Sequence, residues 1–204
     1  MSLDPRERPL HEAGVDADPL RQFGAWFEAA GAADVRAPEA MALATATSDG
    51  QPSVRMVLLK GFDERGFVFF TGYESRKGAE LAANPRAALL FHWDLLGRQV
   101  RIEGPVERVG EAESDAYFRS RPRGAQISAS VSPQSRVVES RASLEAAAAR
   151  LQARGGELPR PPAWGGFRLA PQTYEFWQHR SNRLHDRLRY RHDGGRWKIE
   201  RLGP

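Results

Sequence analysis

The chain has 204 residues, no cysteine, 30 Lys and Arg against 26 Asp and Glu, and a formal net charge of +4. That length allows one domain with a substantial core and is short for two. The lack of cysteine excludes disulfides and thiolate metal sites, and no apolar stretch approaches the roughly 18 residues of a membrane-spanning helix.

Residues 1–17 are polar, unlike a signal peptide, and carry little pattern. They read as a mobile N-terminal segment on a soluble, cytoplasmic protein, with 18–204 as a single domain. Asp18-Pro19-Leu20 opens a helix, because Asp18 can accept from free N–H groups and Pro19 suits the first helical position. Leu20, Phe23, Trp26, Phe27 and Ala30 follow at helical spacing and are predicted to face the core. From Met41 the period drops to two. Strands are predicted over 42–47, 54–60 and 67–71, with turns at 48–51 and 63–66. A short helix over 75–83 stops near Asn84-Pro85, and strands follow over 86–93 and 99–104. Helices are predicted over 111–119 and 143–154, with 155–162 a proline-rich connector. Strands at 167–169, 174–178, 188–191 and 197–202 close the chain. This is an antiparallel meander without a repeating strand–helix unit, so the expected fold is mainly β with peripheral helices, a β-barrel.

No Gly-x-Ser-x-Gly, Walker-type, His-Glu-x-x-His or Gly-x-Gly-x-x-Gly motif is present. What stands out is the setting of two of the three lysines. Lys60 closes the run Arg55-Met56-Val57-Leu58-Leu59-Lys60, and Lys77 lies in Ser75-Arg76-Lys77 at a helix start. Two cations, a hydroxyl and free helix N–H groups suit a phosphate. The plain alternative is that strand-end charges simply meet solvent. Tyr117 and Arg121, four apart, share a helix face, and Pro122 ends that helix. Read as an extended piece, Arg183-Leu184-His185-Asp186-Arg187 puts Arg183, His185 and Arg187 on one face.

The positive excess lies at the C-terminal end: residues 160–204 hold ten Lys and Arg against four Asp and Glu. A basic tail can bind nucleic acid. Here Trp177, Leu184, Leu188, Tyr190 and Trp197 interleave with the charges, which implies a folded segment able to serve a small anionic ligand. Arg55, Lys60, Arg76, Lys77, Gln99, Arg121, Gln134, Ser135, Arg183, His185 and Arg187 together suit one or two phosphorylated ligands, since arginine forks pair bidentately with phosphate. No metal site is expected.

Nine of these segments occur in one order: Arg55 to Lys60, Phe70-Thr71, Ser75-Arg76-Lys77, Gly97 to Val100, Ser120 to Arg123, Gln134-Ser135, Trp164-Gly165-Gly166, Glu175 to Gln178, and Arg183 to Arg187. A closing Arg201-Leu202 follows. The chain thereby resembles the pyridoxine (pyridoxamine) 5′-phosphate oxidases, FMN enzymes of vitamin B6 metabolism, over about residues 18–204. The resemblance implies an antiparallel split β-barrel, the FMN-binding split barrel, in a homodimer with FMN at the interface. It implies that Arg55, Met56, Val57, Leu58, Lys60, Phe70, Thr71, Arg76, Lys77 and Ser135 hold the cofactor. Gln99, Gln134, Trp177 and Arg187 would contact its ring or complete the pocket from the other subunit. Lys60, Tyr117 and Arg121 would clamp the substrate phosphate, and Arg183 and His185 would hold the substrate ring against the flavin as the catalytic pair.

The implied reaction is hydride transfer from C4′ of pyridoxamine or pyridoxine 5′-phosphate to flavin N5, giving pyridoxal 5′-phosphate. Dioxygen then reoxidises the flavin and hydrogen peroxide leaves. Two departures bear on the substrate. Ala125 stands where the family usually carries a phosphate-binding serine, and residues 1–17 hold no tyrosine, so the family's Arg-x-x-Tyr lid before the first helix is absent or differently built. They keep two rivals open: a flavin oxidase of the phenazine-biosynthesis type acting on another ring, and a non-catalytic flavin- or pyridoxal-phosphate-binding protein. A nucleic-acid binder fits less well, and neither nucleic acid nor membrane is expected as a partner.

Overall fold

Asp18 caps the first helix, α1 (Pro19–Ala32), in the computed structural model, which describes residues 7–204; its carboxylate accepts the Leu20 N–H at 2.9 Å. The apolar stripe of α1 goes inward as its spacing dictates. Phe23 meets Phe62, Phe67 and Phe91 at centroid distances of 5.0, 4.9 and 5.0 Å, and Trp26 meets Phe176 edge-on at 5.2 Å. Edge-to-face packing of this kind places the positive ring edge on the negative face of its neighbour.

Ten strands follow: β1 (Ala40–Ala46), β2 (Pro52–Leu58), β3 (Gly61–Asp63), β4 (Gly66–Gly72), β5 (Arg86–Trp93), β6 (Arg98–Arg108), β7 (Trp164–Leu169), β8 (Thr173–Gln178), β9 (Asp186–Asp193) and β10 (Arg196–Arg201). The helices between them are α2 (Arg76–Ala83), α3 (Glu111–Ser120), α4 (Arg123–Val131) and α5 (Arg141–Ala153). All pairings are antiparallel. One path runs β10-β9-β8-β6-β5-β1-β2, and a second wing joins β3, β4 and β7 to β6. The long β6 creates the split: its first part pairs with β8 and β5, and its last residues, Val106 to Arg108, pair with β7. The result is a curled half-barrel with helices outside, the fold class expected from the sequence. No helix among the described residues is long and apolar enough to cross a membrane.

Three features differ from the sequence reading. The turn at 63–66 joins the short β3 to β4, so β4 has β3 as its hairpin partner and not β2, which pairs with β1 across the expected turn at 48–51. Pro122 ends α3 yet also caps the unexpected α4, because a proline tolerated at a helix start can close one helix and open the next. The N-terminal segment, expected to be mobile over 1–17, makes defined contacts from residue 7 onward. Leu10 is buried, its N–H donates to Asp186 at 3.1 Å, and Tyr190 donates to the Asp16 carbonyl at 2.7 Å. Residues 1–6 lie outside the described residues. A single buried leucine has no periodicity to announce it.

The crossing of the two wings demands a close backbone approach at Gly104, where an added Cβ would lie 1.9 Å from the Ala170 carbonyl oxygen. Gly104→Ala is expected to destabilise the fold by about 2 kcal/mol or more, since backbone must move to admit the methyl group. Gly14→Ala, with nothing within 4 Å of the added methyl group, is the control and should stay within about 0.5 kcal/mol. Urea denaturation of both variants checks this.

Candidate active site

The start of α2 builds the first cluster. Ser75 is its N-cap, accepting the Gly78 N–H at 3.3 Å and donating to the Gly72 carbonyl at 2.7 Å. This geometry turns Lys77 inward, so that only 8% of it is exposed. Its ammonium donates to Thr71 Oγ1 at 3.1 Å, Ser75 Oγ at 3.3 Å and Gln134 Oε1 at 3.2 Å. All three acceptors are neutral, and among the described residues no carboxylate lies within ion-pair distance. Burial, reinforced by the Arg55 charge, holds the Lys77 pKa below its ordinary value.

Arg55 on β2 and Arg76 on α2 are tied together by Glu80, one turn along α2. Glu80 Oε2 lies 3.3 Å from Arg55 Nη2, and Oε1 lies 2.9 Å from Arg76 Nε. Thr45 and Ser53 also donate to this buried carboxylate. Burial pushes the Glu80 carboxyl up, but the hydrogen bonds from Ser53, Thr45, Arg76 and Arg55 outweigh it and hold the pKa at about 2. Arg55, Arg76 and Lys77 against Glu80 leave two positive charges uncompensated. A phosphate monoester carries about −1.5 to −2 at neutral pH and matches that surplus.

The second cluster lies on α3. Tyr117 stacks on Phe70 at 3.9 Å, Trp164 lies beyond at 5.6 Å from Phe70, and the Arg121 guanidinium sits 4.7 Å over the Trp164 ring. Burial raises the Tyr117 pKa and lowers that of Arg121. Arg121 Nη1 is the one buried side-chain polar atom without a hydrogen-bond partner among the described residues. An orphaned guanidinium donor of this sort is costly unless an anion meets it. Lys60, Phe70 and Tyr117 line a cavity of about 460 Å³. Arg121 lines another of about 240 Å³ with Ser75 and Gln134, which brings it beside the first cluster. Ala125 lies in the first turn of α4. A mostly apolar groove of about 490 Å³ between α4 and α5 contains none of the expected site residues.

The third cluster belongs to the other end of the sheet. Register places Gln99, Trp177 and Arg187 in one row across β6, β8 and β9. Arg187 donates to Glu175 at 2.8 Å and to the Gly203 carbonyl at 2.7 Å, and the Glu175 hydrogen bond raises its pKa. His185 packs on Trp177 at 4.6 Å, and its Nδ1 accepts the Arg180 N–H at 3.1 Å. The proton of the neutral imidazole therefore lies on Nε2, which can donate. Burial first, then the charges of His179 and Arg183, holds the His185 pKa below its ordinary value.

The extended reading of 183–187 does not hold. Ser181–Arg183 forms one 3₁₀ turn, Asn182 and Arg183 take φ of 59° and 62°, and β9 begins only at Asp186. Strict alternation therefore does not place Arg183, His185 and Arg187 on one face. Contacts from the distant N-terminal segment to this loop, invisible in local sequence, accompany the turn.

One chain brings Thr71, Arg76, Lys77 and Gln134 together with Arg55, and Lys60 with Phe70 and Tyr117. It does not join the third cluster to them. Four strand steps separate β8 from β2, roughly 19 Å along the curved sheet at about 4.8 Å each. Arg183 and Leu184 are exposed, Ser135 is exposed with φ of 70°, and Val57 packs against the core. Met56 and Leu58 share an exposed apolar stripe on β2 with Val54. Sequence reasoning missed Glu80, Glu175 and the role of Trp164 beneath Arg121. The Arg76–Glu80 spacing of four was the one available signal.

The family model described as pyridoxamine 5′-phosphate oxidase matches residues 27–155. The chain belongs to this family. A second model, described as the pyridoxine 5′-phosphate oxidase C-terminal dimerisation region, matches residues 164–204, the part that carries the third cluster apart from Gln99. Proteins named pyridoxine/pyridoxamine 5′-phosphate oxidase from Rubrobacter xylanophilus and Ralstonia pickettii are 58% and 60% identical over 197 residues, covering 96% of this chain and 91% and 93% of theirs. The crystal structure of PhzG from Burkholderia lata, in complex with tetrahydrophenazine-1-carboxylic acid, is 40% identical with a TM-score of 0.93, covering 98% of this chain and all of that one. An FMN-binding protein from Nostoc punctiforme, 18% identical, shares the fold with a TM-score of 0.71 over 93% of this chain and all of that one. The chain is thus an oxidoreductase of this family, whose cofactor is FMN. The first cluster fits the FMN phosphate, because a buried ammonium with only neutral partners and two arginines await an anion there.

In this oxidase Glu80 gives a pH test. Its folded pKa of about 2 lies below the ordinary glutamate value of 4.5, so the stability it contributes is present above pH 4.5 and is lost as pH falls towards 2. The stability gap between native protein and Glu80→Gln should be widest at neutral pH and close between about pH 4.5 and 2. Denaturant titrations at several pH values read it directly. A gap constant across that window contradicts the assignment.

Proposed function

We infer that the protein is a homodimer that binds FMN between its copies and oxidises pyridoxamine or pyridoxine 5′-phosphate to pyridoxal 5′-phosphate, with dioxygen as acceptor and hydrogen peroxide as product. The observation that carries this reading is the unpartnered Arg121 Nη1 beside Tyr117. In this reading it serves a second anion, beside the one at Lys77, since Arg121 shares a cavity with Ser75 and Gln134. One phosphate site fits the cofactor, and a second next to it fits a phosphorylated substrate.

The division of labour follows. Arg55, Thr71, Arg76, Lys77 and Ser135 take the FMN phosphate and ribityl chain, with Gln134 at their edge. The run Met56 to Leu58 and Phe70 flank the cofactor, and Gln99, Trp177 and Arg187 of the other copy complete its ring pocket. When bound, FMN supplies the redox chemistry, accepting the hydride and passing electrons to dioxygen. Lys60, Tyr117 and Arg121 neutralise and orient the substrate phosphate, so binding energy remote from C4′ serves positioning. Arg183 and the neutral His185, a donor through Nε2, hold the substrate ring. The exposed Val54, Met56 and Leu58 stripe and the match to a dimerisation region both support a second copy.

The similarity to PhzG supports a second reading, oxidation of a phosphate-free ring acid. Higher identity to the relatives named pyridoxine/pyridoxamine 5′-phosphate oxidase favours the first. Arg121→Ala separates the two. Loss of a charge-assisted hydrogen bond is worth about 1.5–3 kcal/mol, so KM for pyridoxamine 5′-phosphate should rise roughly 10- to 100-fold. Unphosphorylated pyridoxamine should be unaffected, and the flavin content unchanged. An equal effect on both amines contradicts the phosphate clamp.

A second test concerns the ring-holding pair. Arg183→Ala and His185→Ala should each lower turnover by roughly 100-fold while the purified protein stays yellow. Folded but colourless variants would place these residues in cofactor binding instead.

A further inference from the structure

Four non-glycine residues with positive φ occur among the described residues, and two of them are adjacent: Asn182 and Arg183. Side chains rarely adopt this backbone region, and consecutive residues do so only where the surroundings impose it. The imposing groups come from the opposite end of the chain. The Glu7 main-chain carbonyl accepts from the Arg180 guanidinium. The Glu7 carboxylate accepts from Ser181 N at 3.2 Å and Ser181 Oγ at 3.4 Å, and lies 3.5 Å from His179 Nε2. Three successive residues at the loop entry are thus gripped by one residue. At the loop exit, the Leu10 N–H donates to Asp186 at 3.1 Å, and Arg201 joins Asp186 at 2.6 Å to the Leu10 carbonyl at 2.8 Å. The N-terminal segment straddles the loop.

We propose that Glu7 is a positioning residue for Arg183 and His185, holding the 179–185 loop in the left-handed turn that fixes the place of both side chains. The proposal rests on the reading of that pair as substrate-holding groups. The same loop ties the imidazole to its own backbone, since the Arg180 N–H meets His185 Nδ1. Release of Arg180 and Ser181 would therefore loosen His185 as well as Arg183. Among the described residues Glu7 meets His179, Arg180 and Ser181, none of which is assigned to FMN.

The test uses the full-length, FMN-loaded protein with Glu7→Ala and Glu7→Gln. Three quantities are read: flavin content, kcat and KM for pyridoxamine 5′-phosphate, and amide hydrogen exchange across 179–185. In Glu7→Ala, kcat should fall roughly tenfold with flavin content unchanged, and the Ser181 amide should exchange roughly tenfold faster. Glu7→Gln keeps an acceptor oxygen for Ser181 and should recover most of both effects. Native-like exchange in Glu7→Ala would overturn the brace, whatever the activity does. Faster exchange with native kcat would overturn the positioning role. Full turnover by Arg183→Ala is a separate result that sinks the reading of the site, while the exchange measurement still decides whether Glu7 holds the loop.

Discussion

A buried ammonium with no carboxylate beside it organises this site. Burying a charge without a counter-charge is costly, and three neutral oxygens only partly replace the water that Lys77 gives up. The fold accepts that cost because Ser75 caps α2 and turns the lysine inward, and because Glu80 engages the two arginines and leaves Lys77 unpaired. Had Glu80 reached Lys77, the site would be a closed ion pair. Instead it fixes Arg55 and Arg76 through two separate oxygens, and the cluster keeps a net charge suited to a phosphate.

The sheet imposes the second constraint. β6 passes from one wing of the half-barrel to the other, which carries the row of Gln99, Trp177 and Arg187 away from the cluster on β2, β4 and α2. A flavin is long enough to need both. In the proposed reading a second copy brings them together, and the exposed apolar stripe of β2 is the surface it covers. Most of the basic C-terminal quarter is neutralised within the chain: Glu175 binds Arg187, Glu200 binds Arg189, Arg191 and Lys198, and Asp186 lies against Arg180 and Arg201.

Much of this was legible locally. The Asp18 cap, the aromatic stripe of α1 and the alternation of β6 are short-range patterns, and each is where the sequence places it. The Ser75-Arg76-Lys77 start of α2 was legible for the same reason, since hydroxyl and helix terminus act within three residues. Long-range contacts were not legible. Glu7 meeting Ser181 joins residues 174 apart, and the left-handed turn at Asn182-Arg183 goes with that contact. A local alternation argument read that loop as extended and was wrong. The helix α4 was hidden because Pro122 reads as an end and its serines dilute the apolar period. Glu175 was quoted only as part of a motif; its service to Arg187 depends on strand register, which no single segment contains.

The central claim is that two adjacent anion sites hold a flavin phosphate and a substrate phosphate in reacting register. The most direct measurement is the visible spectrum of the FMN-loaded protein during anaerobic addition of pyridoxamine 5′-phosphate. The account predicts bleaching of the flavin band at about 450 nm, with the colour restored on admitting air. An unchanged spectrum with this compound, and bleaching instead by a phosphate-free reduced ring acid, would contradict it.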